Sequence, residues 1–318
     1  MSRCAQWRRL PGMTNKGTVL VAGASGVFGR HIDRVLTEAG YTVLGLGRGS
    51  SNAIRADLND RDQVLAAVAG VHADVAVHAA TALAKPPVMQ RDMDGTDRLR
   101  TVGMRNFVEA AQAVGARKLI SESMIFGYGY GPHGHSVLTE DTAPWAPVQQ
   151  RAHTEQHVAA MRTKEELTFA TPGLDGVALR FGLFYGPGGS EALFGPMRKR
   201  MMPAPKTDNL LPWVHLEDAA VAVLDAIERG VPGQAYNIVD DRPLSFADHL
   251  RATATEFGLP KPMPVPTWLL KPMGLLSEML RTDMRLSNAK ARDGMGWVPR
   301  FPTVMDGLAA MRADTVRS

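Results

Sequence analysis

The run from Gly17 to Gly29, Gly-Thr-Val-Leu-Val-Ala-Gly-Ala-Ser-Gly-Val-Phe-Gly, narrows the folds open to this chain more than any other stretch. Thr18 to Ala22 is a short apolar run rich in β-branched residues, long enough for one buried strand. Glycines come next at Gly23, Gly26 and Gly29, and then a helical pattern with Ile32, Val35 and Leu36 on one side. A strand that bends into a helix over glycines presents backbone N–H groups and the positive end of a helix dipole to an anion. A dinucleotide pyrophosphate suits that place, and the candidate cradle is Gly23, Ser25, Gly26, Val27, Phe28 and Gly29. The spacing is G-x-x-G-x-x-G rather than G-x-G-x-x-G, so its weight comes from the strand and helix that flank it.

Strand and helix patterns continue to alternate beyond this helix. Tyr41 to Leu46 reads as a second strand, Ala53 to Asp57 as a third, Asp60 to Val68 as a helix and Asp74 to His78 as a fourth strand. A long helix is expected over Asp92 to Val114, and a fifth strand over Lys118 to Ser121. Strands alternating with helices predict an α/β fold with a doubly wound parallel sheet and right-handed crossovers. Dinucleotide folds meet the adenosine ribose at the end of the second strand, where an acidic residue favours NAD. No Asp or Glu stands between Gly40 and Arg55, whereas Arg48 does, and a guanidinium can hold the 2′-phosphate of NADP. NADP is therefore the expected cofactor, ahead of NAD.

Composition removes several classes. The net charge is only +4 and the basic residues are scattered apart from Arg198-Lys199-Arg200, so no nucleic-acid surface is expected. The most apolar stretch, Val64 to Ala84, is broken by His72, Asp74 and His78 and reads as a helix end and a strand, not a membrane span. Cys4 is the single cysteine, which excludes an internal disulfide and agrees with a reducing compartment, the cytoplasm. Residues 1–16 are expected to form a disordered extension. Residues 17–190 are expected to be mainly the dinucleotide-binding domain. Residues 191–318, rich in Gly, Pro and Met, should be mainly a substrate-binding region, with 213–240 returning to the core.

The order of motifs resembles the extended and atypical branches of the short-chain dehydrogenase/reductase superfamily, the NAD(P)-dependent epimerase/dehydratase type. It rests on the glycine run, Ala56-Asp57-Leu58, His78-Ala79-Ala80, Leu179-Arg180-Phe181-Gly182-Leu183-Phe184-Tyr185-Gly186-Pro187-Gly188, Trp213-Val214-His215-Leu216-Glu217-Asp218, Ala235-Tyr236-Asn237-Ile238 and Gly296-Trp297-Val298-Pro299. By that resemblance Asp57 and Leu58 touch the adenine, Ala79, Ala80 and Thr81 touch the nicotinamide side, and Ser121 belongs to the cofactor site. The segment after Arg180 closes over the nicotinamide. Relatives often dimerise through two long helices, so a homodimer is an expectation.

The departure lies where the chemistry should sit. Most members of the family carry Ser or Thr after the fifth strand and Tyr-x-x-x-Lys in the next helix, where lysine lowers the phenol's pKa so that it can move a proton. Aligned on Ile125-Phe126-Gly127, the hydroxyl position holds Glu122, between Ser121 and Ser123. Pro147 and Arg151 stand for the tyrosine and the lysine, and no Tyr-x-x-x-Lys occurs in the chain. Proline moves no proton, and arginine is a poor general acid. Ser123 is the first candidate for orienting the substrate, with Ser121 and Glu122 close behind. Tyr128 is the candidate proton donor with Tyr130 as the alternative, and His133 and His135 continue the same glycine-rich loop. Tyr185 is a candidate pocket wall. His153 and His157 share a helix face but lack a third ligand, so no metal site is expected. Arg281 and Arg285 are candidates for a substrate phosphate. The expected activity is an NADP-dependent oxidoreductase or epimerase-like reaction on a small hydroxyl- or keto-bearing substrate. The alternatives are a non-redox isomerase, cyclase or lyase of the same fold that keeps the cofactor structurally, or an NADP-sensing binding protein.

Overall fold

The computed structural model describes residues 16–83, 86–142 and 152–317. The expected extension lies outside them except for Lys16, whose amide donates to Gly40 O and whose ammonium pairs with Glu228 at 2.6 Å. The first elements are β1 (Thr18–Ala22), α1 (Val27–Glu38), β2 (Thr42–Gly47), β3 (Ile54–Arg55), α2 (Arg61–Ala67) and β4 (Val75–His78). They are followed by α3 (Met104–Ala113), β5 (Lys118–Met124), α4 (Ala152–Ala170), β6 (Asp175–Phe181), α5 (Leu216–Arg229) and β7 (Gln234–Ile238). The seven strands form one sheet in the order β7-β6-β5-β4-β1-β2-β3, and every neighbouring pair is parallel.

Alternation along β1 decides the two faces. Val19 and Val21 pack with Ile32 and Leu36 of α1 and Val223 of α5, while Leu20 and Ala22 pack with Val64 of α2 and Met104 and Phe107 of α3. Strands covered on both faces read as continuous apolar runs, which is why β1 and β4 carry so little polarity. Each fully buried aliphatic side chain, such as Ile32 or Leu36, contributes about 1.5–3 kcal/mol relative to exposure.

The strand order reverses between β1 and β4, where Ala22 is in register with His78. A crevice opens beyond the carboxyl ends of strands at such a reversal. Its walls are the glycine turn after Ala22 and the Ala79-Ala80-Thr81 segment after His78.

Two elements differ from the sequence expectation in ways that matter for the site. The fifth strand runs to Met124, three residues past Ser121, and the long helix is broken into a turn at Asp94–Arg98, a π turn at Leu99–Gly103 and then α3. In the C-terminal region β7 and α5 join the core, but Trp213–His215 pairs with Leu183–Tyr185 outside the main sheet. Trp297 also enters the core, its indole donating to Asp218 O at 2.9 Å, so the late chain is not confined to a separate layer.

Candidate active site

The turn after β1 is built by what its glycines lack. Gly23 has φ +89°, and a Cβ there would lie 2.8 Å from Ala80 Cα; at Gly29 it would lie 2.0 Å from Gly23 O. The bare backbone therefore packs against its own following helix and the end of β4. Gly26 caps α1 with no side-chain hydrogen bond, whereas Asp60 caps α2 by accepting from Gln63 N at 3.0 Å. The first-turn amides of α1 are thus left for a ligand. Asn52 ties the next loop to this one, its Nδ2 donating to Ser25 Oγ at 3.3 Å and to Gly49 O at 3.1 Å. His31 Nε2 donates to Pro187 O at 2.9 Å, drawing the segment after β6 over the start of α1.

These loops surround a cavity of about 640 Å³. Gly23, Ser25, Gly26, Val27, Phe28, Gly29, Arg48, Asp57, Leu58, Ala79, Ala80 and Thr81 all line it. Arg48 is exposed and forms no ion pair among the described residues. The Asp57 carboxylate accepts from the amide of Asn59 at 3.0 Å and from its side chain at 3.1 Å, which sets the turn after β3. The lining also includes residues not singled out as ligands from the sequence: Asn59, Arg98, Arg100, Phe184, Gly188 and Leu216.

Three predicted residues are placed elsewhere. Ser121 Oγ accepts from Thr168 Oγ1 at 2.8 Å, and Ser123 Oγ donates to Glu165 Oε1 at 2.6 Å. The Tyr128 hydroxyl accepts from Arg180 Nη1 and donates to Asn237 Oδ1, both at 3.0 Å. All three are buried and none lines the cavity. For the two serines the reason is α4, whose Thr168 and Glu165 engage the side chains at 121 and 123 of the fifth strand. Arg180 closes the arrangement with two bonds to Glu165, at 3.0 and 2.7 Å. Burial pushes the Tyr128 phenol up despite the guanidinium beside it, which disfavours proton release there.

Of the other loop candidates, Tyr130 and His133 have structural partners and His135 is exposed. Tyr130 stacks on Phe126 with centroids 4.5 Å apart, and His133 Nε2 donates to Gly129 O at 3.1 Å. The Tyr185 hydroxyl donates to Thr303 O, leaving its neighbour Phe184 as the aromatic wall. Arg285 is taken by Gly134 O and Asp283. Pro147, Arg151 and the side chain of His153 lie outside the described residues.

Glu122 does reach the cavity, and it is held in a buried charged network. Lys164 Nζ donates to Glu122 Oε2 at 2.8 Å and to His78 O at 3.3 Å. Arg100 stands 3.6 Å from Glu122 and 3.7 Å from Asp97, and Asp97 is hydrogen-bonded to His157 Nδ1. Burial alone would raise the Glu122 carboxyl, but Lys164 and Arg100 outweigh it and hold it below the usual carboxylate value. Burial likewise lowers the Lys164 ammonium, with Glu122 opposing. His78 is a core histidine whose pKa burial and Lys164 push well down. Because the network joins 97, 100, 122, 157 and 164, no local sequence signal marks it.

The family model described as the NAD dependent epimerase/dehydratase family matches residues 19–239. The chain belongs to that family. A 3-diazoavenalumate denitrifying reductase of a Streptomyces species is 35% identical over 309 residues, spanning 91% of this chain and 98% of the relative. A 3 beta-hydroxysteroid dehydrogenase/Delta 5-->4-isomerase of Mycobacterium tuberculosis is 24% identical, spanning 91% and 88%. Among solved structures, a UDP-glucose 4-epimerase of Thermotoga maritima shares the fold with a TM-score of 0.76 at 20% identity, over 94% of this chain and 99% of that one. A human epimerase family protein solved with NADPH also superposes with a TM-score of 0.76, at 17% identity over 93% and 99%. This epimerase/dehydratase family member is thus an NAD(P)-dependent enzyme of the oxidoreductase/epimerase type. No helix among its described residues is long and apolar enough to cross a membrane.

Proposed function

We propose that the chain is an NADP-dependent reductase that transfers hydride to a small keto-bearing substrate, or removes it from the matching alcohol, without a Tyr–Lys dyad. The observation that carries this reading is the continuity of one cavity from the glycine turn to the exposed, unpaired Arg48 and on to Glu122. The amides of the glycine turn take the pyrophosphate, Arg48 the 2′-phosphate, Asp57 and Leu58 the adenine, and Ala79 to Thr81 the nicotinamide side. The dinucleotide, when bound, supplies or accepts the hydride. The chain contributes a water-poor floor in which Glu122 is kept ionised by Lys164. Titration with NADPH and NADH tests the cofactor: the phosphorylated form should bind at least tenfold tighter, and Arg48→Ala should abolish the preference. Equal binding by the unaltered chain overturns the NADP assignment, and no saturable binding of either overturns the whole reading.

A second reading is favoured by the 35% identical denitrifying reductase. Hydride added to the terminal nitrogen of an aryl diazonium cation gives an aryl diazene, which loses N2 and keeps the hydrogen on carbon. No oxyanion forms in that sequence, so no proton donor is required, in keeping with a chain that has no Tyr-x-x-x-Lys. Oxidation of NADPH by aryl diazonium salts but by no ketone or aldehyde selects this reading, and the reverse pattern selects the first.

A further inference from the structure

Among the described residues, Arg100 is the cation of the buried network that no hydrogen bond satisfies. Within that network the two carboxylates are bonded to other partners, Asp97 to His157 and Glu122 to Lys164. Arg100 reaches both only at 3.6–3.7 Å, beyond hydrogen-bond length. Its Nε has no partner among the described residues, although the side chain is only 4% exposed. A buried guanidinium without hydrogen bonds is unfavourable unless something else fills its donors. Arg100 lines the cavity, so a ligand can.

The backbone shows a second sign. Arg100 sits in the π turn Leu99–Gly103, between the Asp94–Arg98 turn and α3. Such turns interrupt the regular helical bonding and are frequent at functional positions. The irregularity falls at Arg100, which lines the same cavity as Glu122 of β5 and the apolar Phe28, Leu99 and Phe184.

We infer that Arg100 is the anchor for a carboxylate group on the substrate of this site. The planar fork of a guanidinium matches a carboxylate in bidentate fashion, and the two flanking acids hold the fork without occupying it. Asp97, Glu122, Lys164 and His157 act as positioning residues behind it. The dinucleotide phosphates have other places at the glycine turn and Arg48, so the anion is assigned to the substrate. This assignment rests on the reading of the cavity as a reductase site.

Calorimetric titration of benzoate, with uncharged benzamide as the matched control, tests it on the full chain with and without NADP. The unaltered protein should bind benzoate saturably and at least tenfold tighter than benzamide. Arg100→Met should lose that preference, Arg100→Lys should keep part of it, and Arg105→Met, at an exposed position of α3 outside the cavity lining, should keep all of it. Equal binding of the two probes by the unaltered protein overturns the inference, even if Arg100→Met fails to fold. Unchanged benzoate affinity in a folded Arg100→Met overturns it as well. Loss of NADPH affinity in Arg100→Met with benzoate binding retained reassigns Arg100 to the cofactor and also overturns it. Benzoate binding by a chain that takes up no dinucleotide removes the reductase reading instead and leaves the anchor standing.

Discussion

The two ends of the cavity are built on opposite physical plans. Around the glycine turn the protein removes side chains, so that amides and small residues can approach a ligand: Gly23, Gly26, Gly29, Ala79 and Ala80. Around Glu122 it buries five polar groups, Asp97, Arg100, Glu122, His157 and Lys164, and balances them against one another. The first plan depends on close packing of bare backbone. The second depends on every buried charge keeping its counter-charge. A third set, Ser123, Tyr128, Glu165 and Arg180, resembles catalytic machinery in composition, yet its members satisfy each other and do not line the cavity.

The largest expected effect falls on that third set. Glu165→Ala leaves the buried Arg180 without its carboxylate and should destabilise the protein by about 3–5 kcal/mol, seen in urea unfolding. If the set is structural, NADPH affinity of the folded fraction stays unchanged; a parallel loss of affinity would join it to the site. Gly29→Ala acts on the first plan, because its Cβ would press on Gly23 O. Overpacking of about 1–3 kcal/mol corresponds to as much as a hundredfold loss of dinucleotide affinity, and an unchanged titration would show the turn to be an ordinary bend.

A comparison between two buried acids sharpens the second plan. Glu122, beside Lys164 and Arg100, is held down, whereas burial pushes Asp240 up from 3.8 to about 8. Between those values the folded Asp240 keeps a proton that the unfolded chain has released. Stability should therefore fall as pH rises through that window, by about 1.4 kcal/mol per pH unit at most, and level off above it. Asp240→Asn should flatten this slope relative to the unaltered chain in unfolding curves taken across the window; an equal slope in both would exclude the buried acid. The smallest effect is expected at Tyr128→Phe. Removing one hydroxyl from its bonds to Arg180 and Asn237 should lower stability by about 1 kcal/mol and leave turnover of any accepted substrate unaltered. A turnover loss of tenfold or more would restore Tyr128 to the chemistry.

How much was legible depends on the range of the interactions. The glycine turn, the period of α1 and the apolar runs of the strands are consecutive residues, and they announce a doubly wound sheet because local chemistry dictates each of them. Arg48 and Ala79 to Thr81 stand at strand ends, which share one edge of the sheet, and Asp57 and Leu58 came from the family resemblance; all of them line the cavity. Ser123 was expected just past the fifth strand, but the length of β5 is decided by its neighbours β4 and β6, and within the longer strand Ser123 turns to Glu165 of α4.

From the amino-acid order alone came the fold, the cradle made of missing side chains and the absence of Tyr-x-x-x-Lys. Only the folded chain decided that Glu122 and Arg100 reach the cavity while Ser123 and Tyr128 turn to Arg180 and its partners. The physical reason is that backbone conformation is governed by near neighbours. The state of a buried charge is governed by whichever distant residues the packing brings within a few ångströms.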